Sequence, residues 1–173
     1  MVFNEVLGVL EFDKKNTRIT SRKAIRGVAI NNGKILMVLS NTGDYKFPGG
    51  GVKKHEDEKA TLIREVLEET GYNVTKIREK VGLIIERSCD KFKKGALFQI
   101  ESHYYFCDLG EEVTNQKLDD YEAKLEFTPI WVDIDKAIEN NEKLLNNPGK
   151  NINSWIARET LVLKLLKDKV MKL

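Results

Sequence analysis

Cysteine, histidine and proline are scarce in this chain of 173 residues, which holds two, two and three of them respectively. The cysteines, Cys89 and Cys107, form no C-x-x-C pair. That argues against a cysteine-built zinc site and suits a reducing compartment. No stretch of about 18 consecutive apolar residues occurs, so no membrane-spanning helix is expected. The opening segment, MVFNEVLGVLEFDKK, lacks the basic start and unbroken apolar run of a signal peptide. A cytoplasmic location is the expectation. Net charge is also low, at +2, so there is no global electrostatic footprint for nucleic acid, and nucleic acid is not an expected partner. Internal repeats, low-complexity tracts and Pro/Gly/Ser linkers are missing as well. What remains is 41% apolar and 32% charged, the composition of one soluble domain over residues 1–173.

Elements follow from periodicity and punctuation. Residues 3–12 predict a short strand or strand pair. Residues 23–30 and 34–40 are rich in β-formers on either side of Asn31-Asn32-Gly33, which predicts a hairpin. A polar loop is expected over 41–46. Phe47-Pro48-Gly49-Gly50-Gly51 then excludes helix. Residues 57–70 predict a helix stopped by Gly71. Strands are expected over 74–86 and 96–109 with a loop at 87–95, then a polar loop over 110–127 and a strand at 129–133. Helices are expected at about 135–146 and 152–172, parted by Asn147-Pro148-Gly149. The mixture suggests an α/β (α+β) fold with helices on the faces of a mixed sheet.

The informative segment is GGGVKKHEDEKATLIREVLEETGY. On a helix of about 100° per residue, Glu58, Glu65, Glu68 and Glu69 share one side. Ala60, Ile63, Val66, Leu67 and Thr70 are expected opposite, buried against a sheet. Carboxylates at i, i+3 and i, i+4 repel by about 0.2–0.5 kcal/mol per pair. A hard divalent cation with oxygen ligands relieves that repulsion. A solvated glutamate face is the commoner meaning of such a helix. Here, however, the glutamates sit in a fixed array: Gly50, Glu56, Arg64, Glu65, Val66, Glu68, Glu69, Gly71, Tyr72. The seven glycine and charged residues of that array, at about 7% usage each, coincide by chance on the order of once in 10⁸ start positions.

This array, over residues 50–72, resembles the Nudix box, the signature of MutT-like hydrolases acting on nucleoside diphosphates linked to another moiety. The stretches around KILMVLS…YKFPGGG and PIWVDIDKAIE are similar to the family too. Lys53 and His55 depart from its frequent Glu and Gly. The resemblance implies an α/β/α sandwich around a mixed sheet and hydrolysis of a pyrophosphate bond with Mg²⁺, or with Mn²⁺ in its place. It implies Glu65, Glu68 and Glu69 as metal ligands, with Glu65 also the general base in some members. The Gly49 carbonyl matches a backbone ligand, and Arg64 matches a residue orienting the carboxylates. An acidic residue before the last strand often completes the set. Glu122 is favoured here, with Glu126 second.

Substrate contacts are expected from His55, Arg87 and Arg26, and from Tyr45 stacking on a base. Trp131 and Trp155 are expected in the core. The window Ile84–Asp90 holds neither the Pro of ADP-ribose pyrophosphatases nor the Tyr of a diadenosine-polyphosphate group. With Arg87, Lys91, Lys93 and Lys94 nearby, a nucleoside triphosphate is expected over ADP-ribose. A homodimer is compatible with all of this. The alternative is a non-catalytic Nudix-fold module binding a nucleotide as a sensor, which normally loses one of the three glutamates kept here. A Nudix-like isomerase needs a catalytic Cys and does not preserve the box this faithfully.

Overall fold

The computed structural model describes residues 1–147 and 152–169. Asn32 and Gly33 both adopt left-handed backbone, with φ of 48° and 75°. This is the two-residue turn that matches strand twist, and it joins β3 (Ile30–Asn31) to β4 (Lys34–Leu39). Before them run β1 (Phe3–Gly8) and β2 (Ile19–Val28). After them come β5 (Tyr45–Lys46), β6 (Gly49–Gly51), α1 (Glu58–Thr70), β7 (Tyr72–Cys89) and β8 (Leu97–Val113). The chain then forms α2 (Asp120–Lys124), β9 (Thr128–Asp133), α3 (Ile134–Leu145) and α4 (Ile156–Lys169).

Five strands form a mixed sheet in the order β1-β7-β8-β2-β6. In it β1–β7 and β2–β8 are parallel, while β7–β8 and β2–β6 are antiparallel. A second, antiparallel sheet is built around β4, which pairs with β9 along its length and with β3 and β5. Alternation along β4 feeds two cores. Ile35 and Met37 join the larger one, which α3 and α4 cover through Ala137, Ile138, Leu163 and Leu166. Leu36 joins the smaller one, with Ile25, Leu62 and Val66 under α1. The layers are thus helix, strands, helices, as an α/β/α sandwich requires. Among the described residues no helix is long and apolar enough to cross a membrane.

Several expectations need adjusting. The β7–β8 hairpin reaches Cys89 and Val113, farther than apolar patterning indicates. Ladder hydrogen bonds do not require apolar side chains, so its polar ends stay paired. The supposed loop at 41–46 carries β5, and its Asp44, Tyr45 and Lys46 are buried. The loop at 110–127 contains α2. Helix α4 begins at Ile156, and Pro148, Gly149 and residues 170–172 lie outside the described residues.

Helix α1 starts as its sequence indicates. Asp57 caps it by accepting from the Ala60 amide at 2.7 Å, and Gly71, at φ 76°, ends it. Its burial is rotated from the expected face. Ile63 is 41% exposed and Ala60 is exposed, while Leu62, Val66, Glu65 and Glu69 are buried. The cause is the glycine strand β6, which lies against the glutamate side. Two carboxylates are thereby carried into the interior next to the apolar stripe.

Candidate active site

Lys46 and Phe47, consecutive residues, are gripped from opposite layers. Lys46 Nζ pairs with Glu69 Oε1 of α1 at 2.6 Å, and the Phe47 amide donates to Glu159 Oε2 of α4 at 3.0 Å. The Gly49 amide donates to the other Glu69 oxygen at 2.9 Å. Only glycine tolerates this path. Gly49 has φ 142°, and a Cβ there would stand 2.1 Å from the Ile25 carbonyl oxygen. A Cβ on Gly50 would meet the Glu65 carboxylate at 2.4 Å. The glycine run lets backbone and carboxylates touch. Burial pushes the Glu69 carboxyl up to about 7, against the opposing pull of Lys46, the Gly49 amide and Arg26.

Arg64 organises the rest. It donates to Glu56 through Nε at 2.6 Å and Nη2 at 2.8 Å, the two-pronged geometry guanidinium favours. Its Nη1 reaches Glu65 at 2.6 Å and Glu68 at 3.0 Å. The Arg64 hydrogen bonds hold the Glu56 carboxyl at about 2, outweighing the opposing effect of burial. Hydrogen bonding to Glu56 likewise raises the Arg64 pKa above its ordinary value.

The loop that carries Glu122 is sewn to the end of α1. Thr114 N donates to the Gly71 carbonyl at 2.9 Å and Lys117 N to the Glu68 carbonyl at 2.8 Å. Asp119 caps α2 by accepting from Glu122 N at 2.8 Å, and Glu122 Oε2 accepts from Asp119 N at 3.0 Å. Glu65, Glu69 and Glu122 thereby each offer one carboxylate oxygen within 4.8 Å of the others. Glu68 faces the same cleft, which has a volume of about 660 Å³, but stands outside that trio. Arg22, Arg26, Lys46, Lys53 and Lys117 also line it. Three hard oxygen donors at this spacing fit a divalent cation such as Mg²⁺.

The other sequence-derived candidates scatter. The Gly49 carbonyl borders the cleft but accepts from Arg26 Nη1. Tyr45 must be corrected: it is 7% exposed in the larger core, its backbone bound to Asn141, so it is not placed to stack on a base. His55 is an exposed residue at φ 72° and does not line the cleft. Glu126 is exposed and outside it too. Arg87 lines a neighbouring cavity, where it donates to Gln99 at 2.7 Å and lies 5.2 Å over the Phe12 ring. Trp155 is half-buried at the junction of the two cavities rather than in the core. Sequence reasoning missed Lys46 and Arg22. Lys46 had a signal, its place directly before Phe47-Pro48-Gly49. Arg22 had none beyond its charge.

The family model described as NUDIX domain matches residues 20–156. Among solved structures, the chain is similar to a NUDIX hydrolase from Nitrosomonas europaea at 15% identity, with 89% of this chain and 96% of that one covered and a TM-score of 0.56. A MutT NUDIX hydrolase from Burkholderia pseudomallei is similar at 14% identity, with 85% and 98% covered and a TM-score of 0.53. The ORF135 protein of E. coli is similar at 18% identity, with 75% and 84% covered and a TM-score of 0.50. These likenesses show the fold. No curated protein sequence matches this chain.

Proposed function

The chain belongs to the NUDIX family, and from that membership we propose that it hydrolyses the pyrophosphate bond of a nucleoside diphosphate linked to another moiety, a nucleoside triphosphate foremost, in a Mg²⁺-dependent reaction. The observation that carries this reading is the convergence of Glu65, Glu69 and Glu122 oxygens within 4.8 Å in an open cleft. Those residues, with Glu68 beside them, would hold the cation, and Mn²⁺ is an acceptable substitute. Bound there, it neutralises phosphate charge and acidifies a water molecule.

The chain supplies the remaining work. Arg22, Arg26 and Lys46 line the cleft and oppose the phosphate oxygens. Glu65 commits Oε1 to Arg64, which fixes the side chain and leaves Oε2 for the cation, while a carboxylate outside the trio, Glu68, is within the same cleft to take a proton from attacking water. Arg64 keeps Glu65 and Glu68 aimed together, which preorganises charge before substrate arrives. Water oxygen joins one phosphorus, the bridging oxygen leaves with the other, and the cleft carboxylate acting as base carries the released proton.

A panel of (d)NTPs and ADP-ribose assayed with Mg²⁺, with product identification, tests the reading. Turnover that EDTA abolishes, with a higher kcat/KM for at least one nucleoside triphosphate than for ADP-ribose, is expected. A tenfold preference for ADP-ribose would overturn the substrate assignment. Nucleotide binding without any turnover would favour the sensor module instead.

A further inference from the structure

Strand β1 ends at Gly8 opposite Arg87, and β2 begins at Ile19 opposite Leu97. The chain between them, residues 9–18, therefore crosses the end of the sheet at which the β7–β8 hairpin turns. The two segments are tied together. Val9 N donates to the Arg87 carbonyl at 3.0 Å, Leu97 N donates to the Arg18 carbonyl at 2.9 Å, and the Arg87 guanidinium lies 5.2 Å over the Phe12 ring. Positive charge is concentrated here. Residues 9–18 and 87–95 hold seven Lys/Arg against three Asp/Glu, an excess of four in a chain whose overall excess is two. Lys14, Lys15, Arg18, Lys91, Lys93 and Lys94 are all exposed, and among the described residues none of them has a carboxylate partner.

Two of the acids tie down the turns instead. Asp13 accepts from the Lys15 amide at 3.0 Å and the Asn16 side chain at 2.6 Å, and Asp90 accepts from the Phe92 and Lys93 amides at 2.8 and 3.2 Å. Asp90 N also donates to the Ala96 carbonyl at 2.9 Å, and Ala96 N to the Lys93 carbonyl at 3.1 Å. The hairpin tip is thus a closed turn, and it holds Phe92 95% exposed between Lys91 and Lys93. Leu10, in the crossing segment, is 64% exposed. Single exposed apolar side chains are ordinary. A ring held out on a closed tip amid unpaired cations is a protrusion with a charged collar. Lys14, Lys15, Arg18 and Lys94 line neither the carboxylate cleft nor the cavity beside it, so their charge is not directed at a molecule bound in either.

An extended anionic surface matches this arrangement. Five of the six cations are lysines, compact charges that attract diffusely, where arginine would fork onto single phosphates. A single-stranded nucleic acid calls for several rings on which successive bases stack, and of the two exposed apolar side chains here only Phe92 is a ring. A bilayer takes both: lysines attract anionic headgroups, and Phe and Leu enter the boundary of the acyl chains. We propose that this end of the sheet is a membrane-docking surface, which seats the protein on a bilayer of anionic phospholipid with Phe92 inserted below the headgroups and the six cations around it. The inference goes beyond the hydrolase reading and does not depend on it. Charge and insertion act together, since one weak signal alone gives only marginal, reversible binding.

Co-sedimentation of the full chain with lipid vesicles tests this without metal or turnover. At about 0.1 M salt the protein should pellet with vesicles of phosphatidylcholine and phosphatidylglycerol in equal parts, and stay in solution with vesicles of phosphatidylcholine alone. Salt of about 1 M, where charges are screened within about 3 Å, should release it. One lysine near an anionic surface is worth about fivefold in partitioning, so Lys93→Glu with Lys94→Glu should weaken binding by at least about tenfold. The charge-matched pair Lys76→Glu with Lys136→Glu, exposed elsewhere, should weaken it far less. Phe92→Ser should cost about tenfold, the scale of one apolar side chain returned to water. In Phe92→Trp, fluorescence should shift to the blue on the mixed vesicles and not on phosphatidylcholine. Equal binding to both kinds of vesicle, equal losses in the two lysine pairs, or no blue shift in Phe92→Trp overturns the proposal. Failure to bind vesicles, with binding of a polyuridylate strand that Phe92→Ser weakens, overturns it in favour of nucleic acid. Each of these outcomes leaves the hydrolase reading standing.

Discussion

Two clusters of buried charge flank the same dipeptide, Lys46-Phe47, and they are built to opposite ends. In the α4 cluster all three guanidinium nitrogens of Arg158 donate to carboxylates. Arg158 engages Glu159 through Nε at 2.9 Å and Nη2 at 2.6 Å and Glu86 through Nη1, and Glu159 Oε2 takes the Phe47 amide. In the α1 cluster the chain stops short. Glu69 has both oxygens engaged, by Lys46 and the Gly49 amide, but Glu65 gives one oxygen to Arg64 and Glu122 gives one to its helix cap, so these two each keep an oxygen uncommitted among the described residues. Burying a carboxylate is costly unless it is paired. A saturated cluster is therefore structural, while an under-satisfied one lining a cleft is set up to receive a positive partner. Burial of charge alone does not distinguish the two.

That contrast can be broken by mutation. The largest effect should come from Arg158→Ala, which leaves the fully buried Glu159 without its cation. About 3–5 kcal/mol of stability should be lost, read as a drop in denaturant midpoint. A loss below about 1 kcal/mol would mean that the cluster is not structural in this sense. Next, Glu65→Gln should cut kcat/KM by at least ~10² while the midpoint hardly moves. Comparable losses of stability and activity would erase the distinction between the clusters.

The smallest effect concerns the brace beneath the cleft. Glu56 is held at about 2, below its ordinary 4.5. A depressed folded-state pKa adds stability above the unfolded value and loses it as pH falls through the folded value. Wild type should therefore exceed Glu56→Gln in Tm near neutral pH, and the gap should close between pH 4.5 and about 2. A gap constant across that window would show that Arg64 does not depend on a charged Glu56.

The cleft's glycines and the helix that carries its glutamates were legible in sequence because each is local. Asp57 and Gly71 bound α1 by their own backbone chemistry, and the spacing of Arg64, Glu65, Glu68 and Glu69 is fixed by one helix. What needed the fold was anything set by packing between distant segments. The wheel placed Ile63 inward, yet β6 turned the helix and left it 41% exposed. Tyr45 resembled a surface aromatic beside the glycine loop, but pairing of β5 with β4 buries it. Glu122 is brought to the cleft by hydrogen bonds of Thr114 and Lys117 to the end of α1, which no local pattern announces. Trp155 borders both cavities only because α4 packs beside β5.

The central claim is that Glu65, Glu69 and Glu122 together hold a divalent cation. Titration of the protein with Mn²⁺, followed by the loss of the free-ion EPR signal, tests it without substrate. Wild type should bind Mn²⁺, with Mg²⁺ in competition, and Glu65→Gln and Glu122→Gln should each weaken binding by about tenfold or more, as loss of an oxygen ligand implies. Unchanged Mn²⁺ affinity in a folded variant lacking both carboxylates would contradict the account.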